Sequence, residues 1–360
     1  MALLLWFLML QIKGVAMFRL TTTMTCVATL LMACNSAPSI PNTDLDPQLE
    51  TMGFVESSRP DLIQPSAKIE NLGGDFGWSE GPVWVDKLDA VLFTDVPGNT
   101  IWKYKEGQGL TIYMSPSGAT PPLAEYISSP GANGLILLDA DTLIVPDHGN
   151  RTLWRQNITT KDRMVLADKF QGKRLNSPND AALHSSGIIY FTDPPYGLKG
   201  QDRNAAKELD FNGVFALYPD GSLQLIDDSL ARPNGVILSP DESTLYVANS
   251  DPATANWTAY DVDMDGSVSN PRVIAEAFEE LAAGLSGNPD GMAMAADGTI
   301  FATGPGGVWL LSPAGEKLGV ISTGSSIANV TFGGADGRDL YMTSHKFLAR
   351  TRTNIKGHGF

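Results

Sequence analysis

Residues Asn234–Ser250 read "NGVILSPDESTLYVANS". An amide and a glycine open an apolar run, a turn of Pro, Asp, Glu and Ser interrupts it, and a second run rich in β-branched and aromatic residues follows. That is the pattern of two short antiparallel strands joined by a tight turn. The unit recurs. It is opened again by "EGPVWV" at Glu80, "NGLILL" at Asn133, "NDAALH" at Asn179, "DGMAMA" at Asp290 and "NVTFGG" at Asn329. The matching second strands are "AVLFTD", "TLIVPD", "GIIYFTD", "TIFATG" and "DLYMTS". The six starts lie 39 to 56 residues apart, and repeated short strands at such a period mean a propeller or an array. Helical periodicity is confined to the neighbourhood of Phe278–Leu281, and no WD or kelch signature occurs. The fold expected is all-β, a six-bladed β-propeller.

The ends of the repeats sharpen this expectation. Five of them carry a fourth strand: "LTIYM", "RMVLA", "LQLID", "RVIAE" and "KLGVI". The sixth stops at "FLARTRT" and lacks one, whereas "SAKIENL" at Ser66–Leu72 precedes the first repeat. An N-terminal strand that closes the last blade leaves no unpaired edge there. The propeller domain is therefore expected to span residues 66–360.

Residues 1–34 belong to no repeat. Arg19, the apolar run Val27–Met32 and "LMAC" before Asn35 form a bacterial lipoprotein signal, with Cys34 as the lipidated residue. A complete signal already starts at Met17, which is thus an alternative start. Neither apolar stretch is long enough to span a membrane comfortably. Asn35 after the cysteine points to the outer membrane of a Gram-negative cell, so a periplasmic, lipid-anchored protein is expected. Residues 35–65, rich in Pro, Ser and Asp, read as a flexible tether.

The chain of 360 residues is 43% hydrophobic and carries a net charge of −15. Without residues 1–34, whose charges are Lys13 and Arg19, that becomes −17. So acidic a surface argues against nucleic acid as a partner and is compatible with divalent cations and neutral small molecules. Both cysteines, Cys26 and Cys34, precede the repeats, which excludes a disulfide framework or thiolate metal site in the folded part. Four scattered His argue against a zinc cluster. We expect a monomer.

In a propeller the first strand of each blade lines the central channel, so Glu80, Asn133, Asn179, Asn234, Asp290 and Asn329 should converge on one axis. All six are carboxylates or carboxamides, the oxygen donors a hard cation such as Ca²⁺ requires. Asn-Gly and Asp-Gly are also ordinary turn dipeptides, and a repeat protein repeats its turns. A turn does not explain Glu80 in the same slot.

In this order, "SEGPVW", "LNSPND", "RPNGV" and "NPDGM" resemble the gluconolactonase / senescence-marker-protein (regucalcin) / luciferin-regenerating enzyme family. "DHGNRTLWR", "YFTDPPYGL" and "GPGGVW" are similar to its bacterial gluconolactonase-like branch, and the resemblance runs from Trp78 to about Thr343. It implies a six-bladed propeller with one Ca²⁺, or another divalent cation such as Zn²⁺, Mg²⁺ or Mn²⁺. The implied ligands are Glu80, Asn179, Asn234 and Asp290, with Asn133 and Asn329 around them or touching substrate. It also implies hydrolysis of a sugar lactone to the aldonic acid, with Asp290 as general base; a pure ligand or a nucleophile are its other possible roles. His148 is expected to bind a sugar hydroxyl or assist proton transfer, with a loop histidine satisfied by backbone as the alternative. Arg151, Asp193 and Tyr196 belong to the same loops. The animal aldonolactonases carry an Arg where this chain has Ser177, and Arg174 is the expected substitute. Two other functions fit the same residues. One is a metal-dependent esterase or organophosphatase, the other a lipid-anchored ligand-binding propeller with a structural ion.

Overall fold

The computed structural model of the chain describes residues 51–360. The signal segment 1–34 with Cys34, and residues 35–50 of the expected tether, lie outside the described residues. Six antiparallel sheets of four or five strands follow in chain order, with a two-stranded ribbon of Lys169–Phe170 and Lys173–Arg174 between the second and the third. Blade 1 runs from Ser79–Val85 to Gly109–Met114, blade 2 from Ile136–Asp139 to Arg163–Ala167 and blade 3 from Ala181–Leu183 to Leu223–Asp227. Blade 4 runs from Pro233–Leu238 to Val268–Glu276, blade 5 from Met292–Met294 to Lys317–Ser322, and blade 6 starts at Asn329–Gly333. The first strands of consecutive blades touch in a closed cycle, which makes the sheets a ring. The one α-helix among the described residues is Phe278–Ala282, where the sequence shows its helical period.

Each second strand lies between two neighbouring blades, so both its faces are covered. Ala90–Asp95, Ile189–Asp193 and Ile300–Gly304 are buried at every position. That is why they read as continuous apolar runs rather than as alternating ones. The fourth strands lie at the outside of the ring and are less covered, and Arg163–Ala167 leaves Met164 and Val165 exposed. The hydrophobic core is distributed between blades. Leu72, Trp84, Phe93, Tyr341 and Leu348 join blade 6 to blade 1, and Trp257 meets Trp309 at 5.0 Å between blades 4 and 5. Each such side chain contributes about 1.5–3 kcal/mol by leaving water.

Blade 6 is completed by Ile69–Gly74, which pairs antiparallel with Phe347–Arg352. The expected closure by an N-terminal strand is what the structure has. Arg350 faces Glu70 across this junction and grips it at 2.7 Å, an opposite-charge cross-strand pair that fixes register.

The expected tether is a correction. Thr51–Met52 adds an edge to Ile69–Gly74, and Phe54–Ser57 adds a fifth strand to blade 5 beside Lys317–Ser322. Sheet pairing therefore extends upstream of residue 66. Phe54 and Val55 supply β-formers, Val55 is buried, and Gly53 passes so close to Ser322 O that a Cβ would meet it at 1.7 Å.

Candidate active site

Two devices bring the repeat starts to the channel. The first fastens the chain just ahead of them. Asp95, at the end of a second strand, accepts the N–H groups of Gly77 and Trp78 at 3.1 and 3.2 Å, ahead of Glu80. Asp193 accepts those of Asn176 and Ser177 at 2.6 and 2.7 Å, ahead of Asn179. Asn249 accepts that of Arg232 at 2.9 Å, ahead of Asn234.

The second device joins each blade to the next at the axis. Thr94 Oγ1 donates to Asn133 O at 2.9 Å, Thr192 Oγ1 to Asn234 O at 2.6 Å and Gly134 N–H to Asn179 O at 2.8 Å. The glycines after the repeat starts serve this approach. A Cβ on Gly81 would stand 2.0 Å from Asn133 O, and one on Gly235 would stand 2.2 Å from Asp290 O. Gly81 also has φ 47°, while Gly134, Gly235 and Gly291 have no positive φ. For these three, close packing around the axis explains the glycine, and a left-handed turn does not.

Glu80, Asn133, Asn179, Asn234 and Asp290 line one cavity of about 300 Å³, together with His148, Tyr196, Trp78, Ser250 and Asn288. The amides are oriented by their neighbours. Asn133 Nδ2 lies 3.0 Å and Asn179 Nδ2 3.5 Å from His148 Nε2, and Asn234 Nδ2 donates to Ser250 Oγ at 2.8 Å. Ser250 in turn donates to Pro289 O at 2.5 Å. With each NH₂ engaged, the amide oxygens are the free ends. Asn133 Oδ1 and Asp290 Oδ1 are buried without a hydrogen-bond partner, as is His148 Nδ1. Burial lowers the His148 pKa to about 3, so the ring is neutral and its Nε2 accepts from the amides.

Burial also raises the carboxyl groups. Glu80 is pushed up to about 7, with the charge of Asp180 adding to burial and the Trp78 indole, donating at 3.1 Å, opposing it. Asp290 rises well above the usual range through burial and the charges of Glu80 and Asp180. Mutually repelling buried carboxylates, an orphaned carboxylate oxygen and turned-out amide oxygens fit a hard divalent cation. Glu80, Asn179, Asn234 and Asp290 are the residues that would hold it. Among the described residues no group of three or more His, Cys, Asp or Glu side chains could do so, and the donor set here is mixed.

Three sequence-derived candidates stand elsewhere. Asn329 lies in a second cavity on the axis with Asp180, and its amide is placed to lower the pKa of both Glu80 and Asp180. Arg174 does not line the acid–amide cavity: its guanidinium donates to Asn150 O at 2.7 Å. Ser177 is buried and donates to Pro194 O at 2.5 Å. Asp193 and Arg151 hold loops, Arg151 donating to Leu175 O, Asn176 O and Ala206 O. Asp180 is the residue the sequence reading missed. Buried and raised to about 7 by that burial, it stands near Glu80 and Asp290. Its only signal is a carboxylate directly after Asn179.

A six-bladed propeller with an acid–amide centre at its axis defines a class of proteins built around one polar axial pocket. The model of the SMP-30/gluconolactonase/LRE-like region matches residues 78–346, and the chain belongs to that family. A gluconolactonase of Zymomonas mobilis is 41% identical over 315 residues, which cover 85% of this chain and 88% of that one. A gluconolactonase of Xanthomonas campestris, solved as a structure, superposes with a TM-score of 0.70 at 28% identity, covering 88% of this chain and 97% of that one. An X-ray structure described at family level as a gluconolactonase superposes with a TM-score of 0.74 at 31% identity, covering 86% and 100%.

Proposed function

We propose that the protein hydrolyses a sugar lactone, of the gluconolactone kind, to its aldonic acid. The observation that carries this reading is the convergence of Glu80, Asn179, Asn234 and Asp290 on one cavity in a chain 41% identical to a gluconolactonase. A divalent cation such as Ca²⁺ held by these four residues would polarise a lactone carbonyl and stabilise the negative charge that develops on its oxygen. Asp290 takes the proton of the attacking water; its Oδ1 is buried without a hydrogen-bond partner and is free to accept it. Asn133 and His148 hold the amide oxygens in place and face the bound sugar.

Hydrolysis of glucono-1,5-lactone by the purified protein, with and without EDTA and beside Asp290→Asn, tests this. Loss of activity with chelator, recovery with Ca²⁺ and a loss of at least about 100-fold in Asp290→Asn are expected. Activity indifferent to chelation removes the metal, and no turnover of any aldonolactone removes the function. Simple esters and organophosphates in the same assay show whether the site serves another substrate class.

We further propose that the mature protein is a periplasmic monomer held to the outer membrane by a lipid on Cys34. The motif "LMAC" before Asn35 supports this. Metabolic labelling with a fatty acid should mark the wild type and leave Cys34→Ser unmarked.

A further inference from the structure

The acid–amide cavity has a neighbour. A space of about 610 Å³ is lined by Ser128, Tyr196, Gln201, Asp202, Arg203 and Arg232, among others. Tyr196 also lines the acid–amide cavity, as does Ser129 beside Ser128, so the two spaces share a wall. That wall is made by two long loops fastened to each other. Ser128 N–H donates to Gly197 O at 2.8 Å, Ser128 Oγ to Tyr196 O at 2.9 Å and Lys199 N–H to Tyr126 O at 2.9 Å.

The charge of this neighbour contrasts with that of the chain, whose net charge is −15. Asp202 is the one carboxylate in its lining, and it is already engaged. Arg232 holds it at 2.5 Å, Lys207 stands 3.7 Å away and Asn212 Nδ2 donates to it at 3.1 Å. Arg203 is exposed and has no ion pair or side-chain hydrogen bond among the described residues. Guanidinium groups beyond what the local carboxylate can neutralise, next to a reaction site, are suited to a planar or tetrahedral oxyanion held by paired hydrogen bonds.

We propose that this cavity is a subsite for a negatively charged group of the substrate, a carboxylate or a phosphate remote from the lactone carbonyl, recognised by Arg203 and Arg232. The inference rests on the lactonase reading and narrows it to lactones of acidic sugars. Tyr196 divides the reacting ring from the charged end.

Two measurements test it. Calorimetric titration of 6-phosphogluconate, glucarate and gluconate compares binding to the wild type, Arg203→Ala and Arg203→Glu, and needs no turnover. The ratio of kcat/KM for the 6-phospho and glucaric lactones to that for glucono-1,5-lactone is measured in the same proteins. At least one of 6-phosphogluconate and glucarate is expected to bind the wild type more tightly than gluconate. The preference should fall at least about tenfold in Arg203→Ala and further in Arg203→Glu. Which of these two ligands is preferred identifies the group as phosphate or carboxylate. Equal binding of all three ligands to the wild type overturns the subsite, and so does a preference that survives in both variants. Hydrolysis of glucono-1,5-lactone with no acidic preference sinks the subsite and leaves the lactonase reading standing. Arg203-dependent binding of 6-phosphogluconate or glucarate without turnover of any lactone does the reverse.

Discussion

His148 shows how a single residue changes meaning between sequence and structure. In "DHGNRTLWR" it is a loop histidine open to proton transfer or sugar binding. In the fold it is buried and neutral, lines the cavity, and has its Nε2 shared by two amides, a position suited to aiming Asn133 and Asn179. Groups that orient metal ligands are typically worth about 10- to 100-fold in affinity or activity. His148→Ala should therefore weaken Ca²⁺ binding by about that factor, measured by titration, and should leave no group titrating between pH 6 and 8 missing from the rate profile. Arg174 and Ser177 teach the opposite lesson. The resemblance makes Arg174 the expected substitute for the Arg that stands at Ser177 in relatives, yet Arg174 reaches back to Asn150 O and Ser177 to Pro194 O. Sequence spacing gives the place of a residue along the chain, and the direction of a side chain in an irregular loop depends on partners far away in sequence.

At the scale of elements, the repeat was legible because burial imposes composition. Second strands covered on both faces must be apolar, and the channel residues come at a fixed point before them. All six starts identified from the sequence therefore open a blade of the structure. The reason for the glycine in Asn-Gly and Asp-Gly was not legible, since a turn and a close inter-blade approach select the same residue. Gly235→Ala separates them. The added Cβ would fall 2.2 Å from Asp290 O, which belongs to backbone and cannot swing away. Overpacking of this kind costs about 1–3 kcal/mol. A lower Tm and a loss of metal affinity through displaced Asp290 are expected together, the first read by calorimetry and the second by Ca²⁺ titration. The strands at residues 51–57 escaped sequence reading because they are short edge additions outside the repeat.

For the whole molecule, the axis concentrates acids that the unfolded chain would leave ionised. Glu80 and Asp180 are raised to about 7 from ordinary values of 4.5 and 3.8. The metal-free folded chain thus holds protons that the unfolded chain has already released. Their contribution to stability is full below about pH 4 and is lost as pH rises through 7. His148, lowered to about 3, acts in the other direction below pH 6.5. In chelator, Tm should be lower at pH 8 than at pH 6. Added Ca²⁺ should raise it at both, and more at pH 8, where the carboxylates are free to bind. A Tm in chelator that climbs from pH 6 to 8 would contradict this account.

The closure of blade 6 also sets a timetable. Glu70 and its partner Arg350 are 280 residues apart, so the junction is made between an early and a late part of the chain. A ribosome adding about 5–20 residues per second delivers the second strand tens of seconds after the first. Until then Ile69–Gly74 waits with an open edge, and the ring that holds the axial acids together cannot exist. The ring closes only with its last strand.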